Sequence, residues 1–263
     1  MWLTKVLNQH DEIFCSYSVD MDPQVTTDHL STKEHNIALH EMGDEFNKLT
    51  IDQYFDILDE RPGSLIGSVH AYALWQVAEQ SQAFRRKYAI ANLVREPISR
   101  LQSGINQMIY EMKFNENAAQ GYEAAFLRNL DFAYPIEREF GVQFDEVEDR
   151  LFLNAVLSMA IDTRNLAIDA WHVRMEDLVS ELSFLRLFIN FIGDGIITAN
   201  PEFLARIIQQ KAPNSRAMVP QSPAQIFSSW PLWRQNFCIR LMRKLGLEER
   251  YESLGYNLSY LKK

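Results

Sequence analysis

The sequence predicts an α/β protein, an open doubly wound parallel sheet with many surrounding helices, in a single domain over residues 1–263. Three observations carry that expectation. Four short, mostly apolar runs, at 13–17, 64–69, 88–94 and 166–173, each precede a helical pattern, as buried parallel strands do. Long segments with apolar residues at helical spacing lie between them. No clear linker divides the chain; the best candidate, 211–223, holds three prolines in a polar setting and reads as a surface loop within one domain.

The elements follow in order. The chain opens on Met1-Trp2-Leu3-Thr4-Lys5-Val6-Leu7, already inside a helical pattern, and runs into the strand at 13–17. A doubly wound sheet usually opens with a strand and a ligand-binding turn, so the expectation is either a domain that lacks its first strand or a sequence that starts late. A helix over 50–59 leads to the strand at 64–69, and the strand at 88–94 runs into Arg95-Glu96-Pro97. From Pro97, apolar Ile98, Leu101, Ile105, Met108, Ile109 and Met112 repeat at helical spacing. Proline suits the first helical position, where its missing N–H would have had no partner. Further helices are expected over 122–140, 146–161, 178–191 and 224–245, with Pro135 kinking or breaking the first of these. In the last, Trp230, Trp233 and Phe237 at helical spacing read as core.

Composition narrows the function classes. Apolar residues are 47% and charged residues 23%, which excludes disorder and fibrous repeats. Lys plus Arg is 26 against 35 for Asp plus Glu, a net charge of −9, which argues against general nucleic-acid binding but leaves room for a local basic pocket. Cys15 and Cys238 cannot build a disulfide framework or a thiolate metal site, and they fit a reducing, cytoplasmic setting. The longest apolar run, 151–161, is interrupted by Asn154 and is too short to span a bilayer; residues 1–8 hold no leader-like apolar stretch. His29, His35 and His40 have no partners at metal-ligand spacing, so no metal is expected.

Ligands of open α/β sheets bind outside the carboxyl ends of the strands. At Arg95-Glu96-Pro97 a helix begins at once, and a helix N-terminus offers backbone N–H groups and a positive dipole end. Arg95 adds a planar donor fork suited to phosphate, and Ser103, eight residues on, adds a hydroxyl. The competing reading pairs Arg95 with a surface carboxylate and leaves Ser103 merely exposed. His70 follows the apolar run 64–69, where a neutral imidazole can take a proton from a hydroxyl nucleophile; the competing reading is a core histidine bonded to backbone.

These residues resemble a family. Leu93-Val94-Arg95-Glu96-Pro97-Ile98-Ser99-Arg100-Leu101-Gln102-Ser103 resembles the 3′-phosphate motif of sulfotransferases that use 3′-phosphoadenosine 5′-phosphosulfate (PAPS), with Arg95, Pro97 and Ser103 at the motif positions. Ile66-Gly67-Ser68-Val69-His70 is similar to the family strand ending in the catalytic histidine, and Val173-Arg174-Met175-Glu176-Asp177-Leu178 to a later strand-to-helix turn, with Met175 in place of the usual Tyr. The tail with Leu254-Gly255-Tyr256 is similar to the family's C-terminal end. The resemblance implies a P-loop-like sulfotransferase fold, PAPS as co-substrate, Arg95 and Ser103 on its 3′-phosphate, His70 as general base and Trp2 stacked on adenine. For Trp2, packing under a helix is the competing reading. The family's phosphosulfate loop, with its Lys and Gly-Thr pair before that Trp, has no counterpart ahead of Trp2. Lys5 does not match that Lys, and Arg216 is a weak substitute for the C-terminal basic segment of the cytosolic branch. Two functions are therefore expected from the resemblance: sulfuryl transfer to a small-molecule or carbohydrate hydroxyl, or a sulfotransferase-like domain that binds without catalysing.

Overall fold

The computed structural model describes residues 2–18, 60, 64–70, 89–195, 197, 200, 202–204 and 221–262. The chain is α/β and mostly helical, with its described strands paired in parallel. It divides into two compact units, each built from two stretches: 1–94 with 168–218, and 95–167 with 219–263.

The first unit begins with helix α1, Trp2–Leu7, whose Leu3, Val6 and Leu7 share one face and are buried. Strand β1, Ile13–Ser18, pairs in parallel with β2, Leu65–His70, from Ile13 opposite Leu65 to Ser18 opposite His70. The Asn8 side-chain amide serves Cys15 as another peptide would: Nδ2 donates to the Cys15 carbonyl at 2.8 Å and Oδ1 accepts the Cys15 N–H at 2.7 Å. Strand β3, Ala91–Val94, pairs in parallel with β4, Trp171–Arg174, which leads straight into further helices. Both strand pairs pack into one apolar core with α1, around Val6, Ile13, Val173, Leu185 and Phe188. Burial in that core pushes the Cys15 thiol up to about 12.

The second unit is helical. Its members are α2 (Pro97–Phe114), α3 (Glu116–Arg128), α4 (Leu130–Phe140) and α5 (Val147–Asn165). In the first unit β4 is followed by α6 (Met175–Ser180) and α7 (Leu182–Gly193). The second unit resumes with α8 (Pro223–Ser229), α9 (Leu232–Lys244), α10 (Leu247–Ser253) and a 3-10 turn at Ser259–Lys262. Phe152 sits at its centre, edge-on to Trp230 and Trp233 at 5.4 Å each and to Phe237 at 6.5 Å, so those aromatic residues are core as expected. Beneath them Arg234, 4% exposed, is bound to Asp149 at 2.5 and 2.8 Å and reaches Glu148 at 3.3 Å. A buried guanidinium is tolerable only with such partners.

Several expected boundaries change, among them the strand expected over 88–94, which begins at Ala91. The segment expected as one helix over 122–140 is two, and the break falls at Asn129; Pro135 sits inside α4 without ending it. Asn129 closes α3, with its side-chain amide donating to the Ala125 carbonyl at 2.7 Å. The run at 166–173 is strand only from Trp171, because the preceding helix extends to Asn165 and a turn takes the next residues. The helix expected over 178–191 is split at Glu181. The one expected over 224–245 is split at Trp230-Pro231, where proline cannot donate to the preceding turn. The helix expected at 50–59 and nearly all of 211–223 lie outside the described residues. Among the described residues no helix is long and apolar enough to cross a membrane.

Candidate anion-binding site

The candidate site starts where β3 ends. Pro97 occupies the first position of α2 and biases the residue before it toward extended backbone, and Glu96 has φ −51° and ψ 126°. That geometry makes Glu96 the helix N-cap. Its Oε2 accepts the Ser99 N–H at 2.7 Å, and its main-chain carbonyl accepts the Arg100 N–H at 2.9 Å. Its Oε1 accepts the Tyr260 hydroxyl from the 3-10 turn. Burial, and then the Glu96 charge, push the Tyr260 hydroxyl well above its ordinary pKa, which keeps it a donor.

This cap corrects one expectation. The start of α2 is not a vacant cradle for an anion: Pro97 has no N–H, that of Ser99 is taken, and a carboxylate already sits on the positive dipole end. An anionic ligand there depends chiefly on side chains. Arg95 and Ser103 are both half-buried, and among the described residues neither side chain has a hydrogen-bond or ion-pair partner. Ser103 lies in α2 six residues beyond Pro97, roughly 9 Å along the axis.

Other cations nearby are committed. Arg100 binds Asp162 of α5 through its two terminal guanidinium nitrogens at 2.5 Å and reaches the Ser158 hydroxyl at 3.1 Å. Asp162 also accepts the Tyr251 hydroxyl at 2.8 Å, and burial pushes its carboxyl upward against the pull of Arg100. These contacts fix α2 against α5 and α10. Trp230 adds a further tie, its indole N–H donating to Gln102 at 2.7 Å. Arg174, at the end of β4, pairs with Asp177 at 3.4 Å.

The remaining candidates fall elsewhere. His70 is the last residue of β2, at a strand's carboxyl end, and Trp2 is the first residue of α1; both belong to the first unit, whereas Arg95 and Ser103 belong to the second. Arg216, His29, His35 and His40 lie outside the described residues. Sequence reasoning missed Glu96 as the cap. The signal was partial: Pro97 marked the first helical position and so placed the cap at residue 96, but glutamate is not among the preferred capping residues. Its bond to Tyr260, 164 residues away, had no signal in the sequence. No family model matches the chain, and no curated protein and no solved structure does either.

Proposed function

We propose that the chain is a sulfotransferase domain that moves a sulfuryl group from PAPS to an acceptor hydroxyl. The observation that supports this reading best is the pair Arg95 and Ser103, two half-buried donors without partners among the described residues, beside a strand-to-helix turn whose other charges are engaged. A guanidinium fork and a hydroxyl suit the 3′-phosphate of the nucleotide. In the reaction the acceptor oxygen attacks sulfur, the bond from sulfur to the 5′-phosphate oxygen breaks, and 3′-phosphoadenosine 5′-phosphate (PAP) leaves. His70 takes the acceptor proton, and Trp2 stacks on adenine. The finer fold that goes with this reading is the P-loop-like open parallel sheet. The acceptor is a small-molecule or carbohydrate hydroxyl, and the setting is cytoplasmic.

Calorimetric titration with PAP, and with adenosine 5′-monophosphate as a control lacking the 3′-phosphate, tests the reading. PAP is expected to bind more tightly; equal affinities remove the 3′-phosphate assignment. With PAPS and a panel of hydroxyl acceptors, His70→Ala is expected to lower turnover far more than nucleotide affinity, because a base acts mainly in the transition state. PAP binding without any transfer favours the non-catalytic binding domain.

A further inference from the structure

We infer that Tyr260 is a positioning residue for the Arg95–Ser103 site, an inference that rests on the function proposed above. Glutamate is an unusual N-cap, one methylene longer than the preferred aspartate, and its carboxylate must curl back to reach the Ser99 N–H at 2.7 Å. Glu96 is 7% exposed, so the curled carboxylate also gives up water. The Tyr260 hydroxyl meets Oε1 while Ser99 holds Oε2, and the two bonds fix the carboxylate at both oxygens. Tyr260 is itself held, its ring 5.8 Å from that of Phe227 and its turn secured by Lys262 on Glu252 at 2.7 Å.

The consequence reaches the ligand through one peptide unit. Glu96 lies between Arg95 and Pro97, so the cap that fixes Glu96 also fixes the direction in which Arg95 leaves the strand. It further turns the only negative charge adjacent to Arg95 in sequence toward α2 and the C-terminal turn. Without the hydroxyl, a buried oxygen loses a donor, the carboxylate is drawn toward water or toward Arg95, and the phosphate-binding fork is misplaced or neutralised.

The test compares wild type, Tyr260→Phe, Glu96→Ala, Glu96→Gln and the double variant Tyr260→Phe/Glu96→Ala. PAP affinity is read by calorimetry, Ser99 amide protection by hydrogen exchange, and folding by urea melting. Tyr260→Phe is expected to weaken PAP about fivefold and to speed Ser99 exchange by a similar factor. Glu96→Ala is expected to weaken PAP at least as much, and the double variant no further than Glu96→Ala, since both act through one bond. Glu96→Gln retains an acceptor for Ser99 and a donor for the tyrosine oxygen, and is expected to keep affinity near wild type. A lower urea midpoint in Tyr260→Phe with unchanged PAP affinity makes Tyr260 a structural latch only and overturns the inference. Additive losses in the double variant, or unchanged Ser99 exchange in Tyr260→Phe, overturn it too. If wild type fails to distinguish PAP from adenosine 5′-monophosphate, the functional reading itself falls, a result separable from the others because it appears before any substitution.

Discussion

The ends of β3 and β4 are neighbours in one ladder, Val94 opposite Arg174, and each hands over to a helix at an arginine. After β4 the acid three residues on, Asp177, lies in the first turn of α6 and folds back on Arg174 at 3.4 Å. That helix has no side-chain cap and runs six residues. After β3 the acid comes next to the arginine, and it turns away to cap α2, which runs eighteen residues. Side chains of successive residues in extended backbone point to opposite sides, whereas residues three apart at a helix start share a side. The position of the carboxylate, rather than the presence of an arginine, therefore decides which guanidinium is available to a ligand.

The largest effect that sharpens this contrast is on stability. Asp162→Ala removes the partner of Arg100 and an acceptor of Tyr251, and is expected to lower unfolding free energy by about 3 kcal/mol in urea melts. A loss under about 0.5 kcal/mol would mean that α2 does not depend on this half-buried pair. Next comes Arg95→Ala, expected to weaken PAP about 10- to 100-fold, as loss of a charge-assisted bond does, while Arg174→Ala stays within about twofold. The reverse order breaks the comparison. Ser103→Ala is expected to cost about fivefold in PAP affinity with little change in stability, read by the same titration and by melting. The smallest effect belongs to Asp177→Ala, which removes one carboxylate from Arg174 in a partly exposed pair and should change stability by less than about 1 kcal/mol. If that substitution instead creates a second PAP site, position of the acid is the deciding variable at both strand ends.

What could be read in advance followed local rules. Pro97 and the apolar spacing behind it marked the start of α2, and the helical pattern over 1–7 marked α1, because both signals lie within a few residues of the feature they specify. The strand at 166–173 was misplaced because a short apolar run looks alike at the end of a helix and in a buried strand. The breaks at Asn129 and Glu181 were hidden because apolar spacing continues across them. At the candidate site, Arg95 and Ser103 were visible as residue types. The vacancy of the helix terminus was misjudged, since the role of Glu96 depends on its own rotamer and on a tyrosine near the other end of the chain.

The interleaving of the two units has a consequence for synthesis. The ladder between β3 and β4 joins Asn92 to His172, 80 residues apart, and the whole helical stretch from α2 to α5 is made in between. At roughly 5–20 residues per second, β3 leaves the ribosome roughly 4–16 s before its partner strand exists. For that interval Leu93 and Val94 have no ladder partner, whereas α2, α3 and α5 can already pack on one another. The strand pair closes only when translation has passed Arg174, a late and non-local step of the kind that slows folding and invites chaperone attention, and the helices between the strands wait longer still for Trp230, Phe237 and Tyr251.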